Sequence, residues 1–503
     1  MTEPAASVKS FYLDQHGCAK NQVDGELIIS LLENKGWVRT ERPESARVII
    51  INSCGFIESA KKESLDALFS ARKAYPDAKI ILAGCLAERY ADVFKRDLPE
   101  ADAVFGNGDL SKLDFLMDVL EKGLRPVVKP EQKGVCCGER KAFLGFPSSA
   151  YVKITEGCNN RCSFCAIPLI RGVLRSRSAD DIVDEIRGLR DRGIFEFNLI
   201  GQDLAAFGRD GVSAGDSANA LYFQSPSPLS LLLQKISKIE GDFWLRLLYI
   251  HPDHFPLDIL PVIQRDKRIL PYFDLPFQAG DERIIRAMNR RGSPDSYLEL
   301  LQKIRAALPD AVLRTTFLCG FPGETDEEAE HTLSFLEKLQ PHWSGCFAYS
   351  REDDTPAALL THRVPAKTVK ERIRKMQNAQ ENITASLLSS YVGKVCSVLI
   401  EEVVGEGPGG RSETKAGSKN KAGSENKAGS ERENADGHEA EAEERESDGL
   451  ALGRCAFQAP EVDGICVVRF DKESKAAKDL VPGSVVSVRI TGVRGVDVTG
   501  VLV

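Results

Sequence analysis

The chain lacks any uninterrupted apolar run approaching the about 18 residues that a membrane-spanning helix needs, so no membrane segment is expected. Its first residues, MTEPAASVKS, lack the basic start and apolar core of a secretory signal. The expected location is therefore cytoplasmic, where thiols stay reduced. Positive charge is not in excess either. Lys and Arg number 66 against 74 Asp and Glu, and the formal net charge of −8 has the wrong sign for a protein that holds nucleic acid mainly by neutralising phosphates. A local basic patch could still override this. An even cysteine count is also missing: 13 cysteines scattered through a long chain argue for metal ligation or thiol chemistry and against a disulfide framework.

What is present is ample material for folding. With 503 residues the chain exceeds one hydrophobic core and points to about three domains. From Ser10 to Asp109, short β-rich runs alternate with helical patterns, the signature of a parallel sheet with crossover helices. Strands are expected at Phe11 to Leu13, Arg47 to Ile51 and Lys79 to Leu82, with helices starting near Asn21, Ser59 and Ala87. Gly36 is placed to cap the first helix in a left-handed conformation.

A linker with the vicinal pair Cys136 and Cys137 leads to a second series with six expected strands: Ala150 to Thr155, Phe195 to Ile200, Trp244 to Ile250, Tyr272 to Phe277, Val312 to Cys319 and Ser344 to Tyr349. Thr325 and Glu328 form a capping-box pair ahead of an amphipathic helix that runs to Leu339. Six βα units suggest an incomplete barrel. After a basic helical segment from Lys367 to Ser389, Gly393 to Val404 and Gly453 to Val503 alternate as strands, with turn glycines Gly464, Gly483 and Gly495. A small β-barrel fits these two stretches. Between them, residues 405–449 carry three copies of KAGS and an acidic tract with almost no core-forming residues, and this insertion is expected to be disordered. The fold class is thus α/β: an N-terminal α/β domain at 8–125, a central partial (β/α)6 barrel at 144–380 and a C-terminal β-barrel at 390–503.

Two constellations of cysteine stand out. Cys158, Cys162 and Cys165 form CNNRCSFC, in a loop at the carboxyl end of the first barrel strand, where barrel enzymes keep their sites. Three thiolates can hold three irons of a 4Fe-4S cluster and leave the fourth iron open to a substrate. The alternative is a zinc loop lacking its fourth ligand, but structural zinc is nearly always four-coordinate and no histidine lies close by in sequence. Cys18, Cys54 and Cys85 are dispersed, yet each follows one of three parallel strands, in HGC, NSC and AGC. All three therefore reach the carboxyl edge of one sheet, where ligand sites form. A second cluster with one free position fits, and three small buried cysteines remain the alternative.

The other cysteines are read blandly. Cys319, Cys346, Cys396 and Cys466 lie in apolar strand patterns as small hydrophobes, while Cys136, Cys137 and Cys455 carry no reading. His16 beside Cys18 is read as exposed or capping before it is read as a ligand. Gln202 and Asp203, at a strand end, and the turn-rich FLCGFPGE from Phe317 to Glu324, with Gly320, Pro322 and Gly323, are weaker candidates for binding cofactor or substrate.

CxxxCxxC with Phe164 before its last cysteine resembles the signature of radical S-adenosylmethionine enzymes. Both triplets, their order and the C-terminal barrel together resemble the methylthiotransferase family within that superfamily, over nearly the whole chain apart from the KAGS insertion. The stretches GCAKNQVDGE, CGFIESAKKES, GCLAERY, CAIPLIRGVLRSR, LLYIHP, FDLPFQ and APEVDG are similar to the branch that acts on ribosomal protein S-twelve. One departure is Ala279 after Gln278, where that branch usually has histidine.

The resemblance implies two 4Fe-4S clusters and S-adenosyl-L-methionine as cofactors. The radical cluster falls to Cys158, Cys162 and Cys165, the auxiliary cluster falls to Cys18, Cys54 and Cys85, and the C-terminal barrel becomes a TRAM domain. It further implies a 3-methylthio-aspartyl product, one S-adenosylmethionine cleaved to a 5′-deoxyadenosyl radical and a second donating the methyl group. The implied partners are ribosomal protein S-twelve or the small ribosomal subunit, and an electron donor such as flavodoxin or ferredoxin. A methylthiotransferase acting on transfer RNA is the alternative, and no acid or base catalyst is assigned.

Overall fold

The computed structural model describes residues 9–211, 225–404 and 448–503. Residues 405–447, which hold nearly all of the insertion expected to be disordered, lie outside the described residues. The N-terminal sheet contains β1 (Ser10–Gln15), β2 (Val38–Arg39), β3 (Val48–Ser53), β4 (Lys79–Gly84), β5 (Ala103–Phe105) and β6 (Val127–Val128) in the order β2-β1-β3-β4-β5-β6. Every neighbouring pair is parallel. The central strands are apolar runs such as Val48 to Ile51 because helices cover both faces. These are α1 (Ala19–Asn34), α2 (Glu58–Ala74), α3 (Cys85–Asp97) and α4 (Leu113–Glu121). Gly36 follows α1 at φ +80°, the left-handed position anticipated for it.

Six further parallel strands form the central sheet: β7 (Ser149–Lys153), then, past the short ribbon of β8 (Thr155–Glu156) and β9 (Arg175–Ser176), β10 (Glu196–Ile200), β11 (Trp244–Leu247), β12 (Ile269–Asp274), β13 (Val312–Cys319) and β14 (Trp343–Ala348). Their order, β14-β13-β12-β11-β10-β7, is the open barrel expected. One strand is offset from expectation. β12 begins three residues earlier than Tyr272, despite Pro271, because the ladder with β11 is irregular between the Leu245 and Leu247 pairs, so the missing N–H of Pro271 is tolerated. α5 (Ile167–Arg171) packs Ile170 against Cys85 of α3, while outward residues such as Val152, Phe197, Leu247 and Leu313 pack beneath the helices α6 (Ala179–Asp191), α7 (Pro228–Ile236), α8 (Leu260–Arg265), α9 (Glu282–Ala287), α10 (Pro294–Ala307), α11 (Asp326–Leu339) and α12 (Ala366–Ser389). The Thr325 and Glu328 capping box is formed at the start of α11.

The alternate residues, Tyr151, Trp244, Tyr272 and Val312, join a different core that includes the C-terminal barrel. That barrel is closed in the order β15-β16-β17-β19-β18, from β15 (Val395–Val404), β16 (Asp448–Cys455), β17 (Cys466–Asp471), β18 (Val485–Arg494) and β19 (Asp497–Leu502). Val404 and Leu450 are register partners at the end of the β15–β16 ladder. The stretch 456–463 plugs the inner face of the partial barrel: Tyr272 donates to Asp463 at 2.6 Å, Arg246 to the Ala456 carbonyl at 2.9 Å and Trp343 to the Phe457 carbonyl at 3.1 Å. Glu196, wholly buried, accepts from Arg246 at 3.0 Å and from Arg454 at 2.7 Å. Cys455 and Cys466 are core residues of the small barrel, and Cys319 is buried in the large one, as small hydrophobes should be. Cys346 and Cys396 are half-buried. Among the described residues no helix is long and apolar enough to cross a membrane.

Candidate functional site

The loop from Gly157 to Ala166 joins β8 to α5 and carries the first thiol triplet. Gly157, at φ +74°, has no room for a side chain, because a Cβ there would lie 2.0 Å from the Val173 carbonyl oxygen. The loop is therefore drawn tight against the chain leaving α5, and Cys158 N–H donates to the Gly172 carbonyl at 3.1 Å. From the other side, Ser163 donates through its N–H to Met288 at 3.0 Å and through its hydroxyl to Ala287 at 2.8 Å. Asn160 donates to Asp203 at 2.8 Å. Asp203 is itself fixed as acceptor from His254 at 2.6 Å, Ala205 N–H at 2.9 Å and His251 N–H at 3.1 Å. Despite its burial, the two histidines and Asn160 hold its carboxyl well below the usual carboxylate range.

Burial pushes the Cys165 thiol up to about 12, with Cys162 adding to the rise, and it pushes Cys158 and Cys162 up as well. Cys158 responds to both of the other thiols. The surrounding charges are of both signs, with the Asp203 carboxylate raising Cys158 and Cys162 further. Arg290, buried, offsets part of the desolvation of Cys162, and His251 Nε2 stands 3.9 Å from the same sulfur. Burial, Arg290 and His254 depress His251 to about 3, so its imidazole is neutral near pH 7.

The second triplet forms where three sheet-edge loops meet. Cys18 caps the N-terminus of α1, Cys54 follows β3 and Cys85 opens α3. Their approach is close enough to require glycine beside them: a Cβ on Gly17 would meet Cys54 Cβ at 3.1 Å, and one on Gly55 would meet the Cys85 carbonyl at 2.7 Å. Asn21 ties the loops together by donating to the carbonyls of His16 at 2.8 Å and Asn52 at 3.1 Å. Burial raises Cys85 to about 11 and Cys54 to about 12, the latter with Cys85 and Cys18 contributing. Cys18 moves the other way. Against desolvation, Lys20, Arg171 and the N–H groups of the first turn of α1 hold its thiol below the ordinary value.

Among the described residues, no group of three or more His, Cys, Asp or Glu is drawn tightly enough together for a single metal ion. Three thiols beside a cation, Arg290 at the first triplet and Lys20 and Arg171 at the second, are the donor chemistry that a 4Fe-4S cluster would need.

The two triplets are joined through α5. Cys85 packs against Ala166 and Ile170, and Arg171 Nη2 lies 3.1 Å from Cys85 Sγ. Asn107 donates to the same sulfur at 3.3 Å. Arg171 also bonds Asp24 at 2.9 Å and pairs with Glu156, while Lys153 pairs with Asp24 and, at 3.1 Å, with Glu156. All four charged residues are buried. They weld α1, on the first sheet, to β7 of the second and to β8 of the short ribbon. None was singled out from the sequence, nor were Lys20, Arg290 and His251. The available signal was Lys153 and Glu156 inside a strand pattern, since charges are almost never fully buried unless paired.

The weaker candidates divide. Asp203 serves the first triplet by holding its loop, whereas the buried side-chain oxygen of Gln202 has no hydrogen-bond partner. Gly320 donates its N–H to Glu324 at 2.8 Å, and Glu324 takes Arg372 of α12 at 2.5 Å, so this stretch anchors a helix. His16 pairs with Asp14 at 3.3 Å and Glu63 at 3.7 Å. Ala279 is buried in the barrel core. Cys136 lies close to the second site, its thiol 3.5 Å from the Asn107 carbonyl, whereas Cys137 is exposed.

Comparison with known proteins adds three domain matches: an uncharacterized protein family over residues 10–106, the radical SAM superfamily over 152–336 and the TRAM domain over 441–503. A ribosomal protein uS12 methylthiotransferase from Treponema denticola is 49% identical over 98% of this chain and 100% of its own. One from Carboxydothermus hydrogenoformans is 33% identical over 97% and 98%. Among solved structures, the radical S-adenosylmethionine methyltransferase of Kitasatospora setae superposes with a TM-score of 0.50 at 11% identity, over 70% of this chain and 74% of that one, a likeness of fold.

Proposed function

The chain belongs to the ribosomal protein uS12 methylthiotransferase family of radical S-adenosylmethionine enzymes, and on that premise we propose that it attaches a methylthio group to the β-carbon of an aspartate in uS12. In this reading Cys158, Cys162 and Cys165 hold the radical 4Fe-4S cluster, and Cys18, Cys54 and Cys85 hold the auxiliary one. Residues 8–125 carry the auxiliary cluster, 144–380 carry the radical chemistry, and 390–503, apart from the insertion at 405–449, supply the substrate-contacting barrel. Two molecules of S-adenosylmethionine are consumed per product, and a flavodoxin or ferredoxin in the cytoplasm supplies the electrons.

The observation that carries this reading is the pairing of two thiol triplets across α5, each at the carboxyl edge of its own parallel sheet. Tuned side chains work within a few units of neutral pH, far from the pKa of an unactivated C–H bond. When bound, the open cluster with S-adenosylmethionine would supply a carbon-centred radical strong enough for that bond, and the second cluster would hold the sulfur that is transferred. The chain's own part is placement. Asp203 and Asn160 fix the first loop, Arg290 and neutral His251 flank Cys162, and Arg171 reaches from the end of α5 to Cys85, so the two sites cannot drift apart.

Reduced enzyme incubated separately with small ribosomal subunits and with unmodified transfer RNA decides the acceptor. The methylthio mass increment is expected in uS12, and an increment only in nucleosides overturns the reading.

A further inference from the structure

Lys20 is a buried cation beside the second thiol triplet that forms no ion pair with a carboxylate among the described residues. It follows Cys18 by two residues in the first turn of α1 and is only 8% exposed. Its ammonium sits over the ring of Tyr249, 3.1 Å from the centroid, and makes no ion pair among the described residues. The charged groups facing it are Cys18, Asp274, Glu156 and Arg171. Both carboxylates are already engaged. Asp274 faces Arg314 at 3.4 Å, and Glu156 is held by Lys153 and Arg171. Cys18 is thus the anionic group that Lys20 answers most directly, no carboxylate is committed to the ammonium, and an aromatic face offsets only part of the cost of burying it. Tyr249 meanwhile adopts φ +69°, a conformation that side-chain-bearing residues rarely take, at the carboxyl end of β11. A residue in a strained backbone conformation and a cation with no carboxylate of its own thus meet beside Cys18.

We propose that Lys20 is the receptor for the side-chain carboxylate of the acceptor aspartate and thereby a specificity-determining residue. This rests on the acceptor proposed above. The chemistry suits it, because the β-carbon of aspartate is bonded directly to that carboxylate. A cation that grips the carboxylate beside Cys18 sets the reacting carbon next to the sulfur-donating site, and it discriminates against the uncharged asparagine side chain of nearly the same shape.

The test uses the full chain with both clusters loaded under anaerobic conditions, and two peptides spanning the modified uS12 loop, one with aspartate and one with asparagine at the acceptor. Binding is read by fluorescence anisotropy, transfer by the KM for the aspartate peptide, and cluster occupancy by iron content. The unaltered enzyme is expected to prefer aspartate. Lys20→Met should weaken aspartate-peptide binding by about 10- to 100-fold, raise its KM in step and leave asparagine-peptide binding where it was, with iron content retained. Lys20→Arg, which keeps the charge, should keep most of the preference. An unchanged aspartate-to-asparagine ratio in Lys20→Met overturns the inference. So does loss of iron in proportion to lost binding, because Lys20 would then be a counter-charge for the thiolates. If the unaltered enzyme modifies transfer RNA and neither peptide nor small subunit, the acceptor proposed above fails and this inference with it.

Discussion

Arg171 Nη2 stands 3.1 Å from Cys85 Sγ across 86 residues of sequence, and so links the helix that follows one thiol triplet to a member of the other. The same guanidinium is held by Asp24 and Glu156, which also hold Lys153. Removing it leaves two buried carboxylates sharing one cation. Arg171→Met is therefore expected to cost about 3–5 kcal/mol. Arg171→Lys should cost nearly as much, since an ammonium cannot span three partners. Urea denaturation of the metal-free chain checks both, and a midpoint shift confined to the methionine variant would contradict the multidentate role.

Iron content separates the triplets. Cys162→Ala and Cys54→Ala should each lose about four of about eight irons per chain. Cys162→Ala should no longer release 5′-deoxyadenosine, whereas Cys54→Ala should release it and fail to transfer sulfur. Normal sulfur transfer by Cys54→Ala would remove the auxiliary role from that triplet.

Gly157→Ala tests the geometry of the first loop. The added methyl has a carbonyl oxygen 2.0 Å away and a φ of +74° to satisfy. The loop must shift, and iron at Cys158, Cys162 and Cys165 should fall while iron at the other triplet is kept. Full iron occupancy in this variant would show that the loop is not held as described.

Acid should loosen the small barrel from the large one. Although burial opposes it, Arg454 and Arg246 hold the Glu196 carboxyl down to about 2 from its ordinary 4.5. A folded-state pKa below the unfolded one gives stability that is complete above pH 4.5 and fades as pH falls toward about 2, on the order of 3 kcal/mol in all. Urea midpoints measured down through this window should decline in the unaltered chain. Glu196→Gln should start lower, with two buried guanidiniums short of a partner, and decline less.

The thiol triplets were legible because each obeys a local rule. One is a short motif, and the other follows from strand ends that apolar runs such as Val48 to Ile51 make plain. The buried charges were not legible, because their partners come from different sheets and no periodicity relates Asp24 to Lys153 or Arg171 to Cys85. α1 shows why. Its polar residues, Lys20, Asp24 and Glu26 among them, are buried against other elements, Glu26 taking Arg140 at 2.7 Å. A helix that is wet on no side carries little amphipathic pattern to read. The offset of β12 has the opposite cause, a local rule against proline that a ladder irregularity overrode.

Val404 and Leu450 face each other across the last rungs of the β15–β16 ladder, so the chain leaves the small barrel and re-enters it at adjoining points. Because closing a longer loop costs only about 0.6 kcal/mol per doubling, the span there can grow or shrink over many generations with almost no pressure from folding.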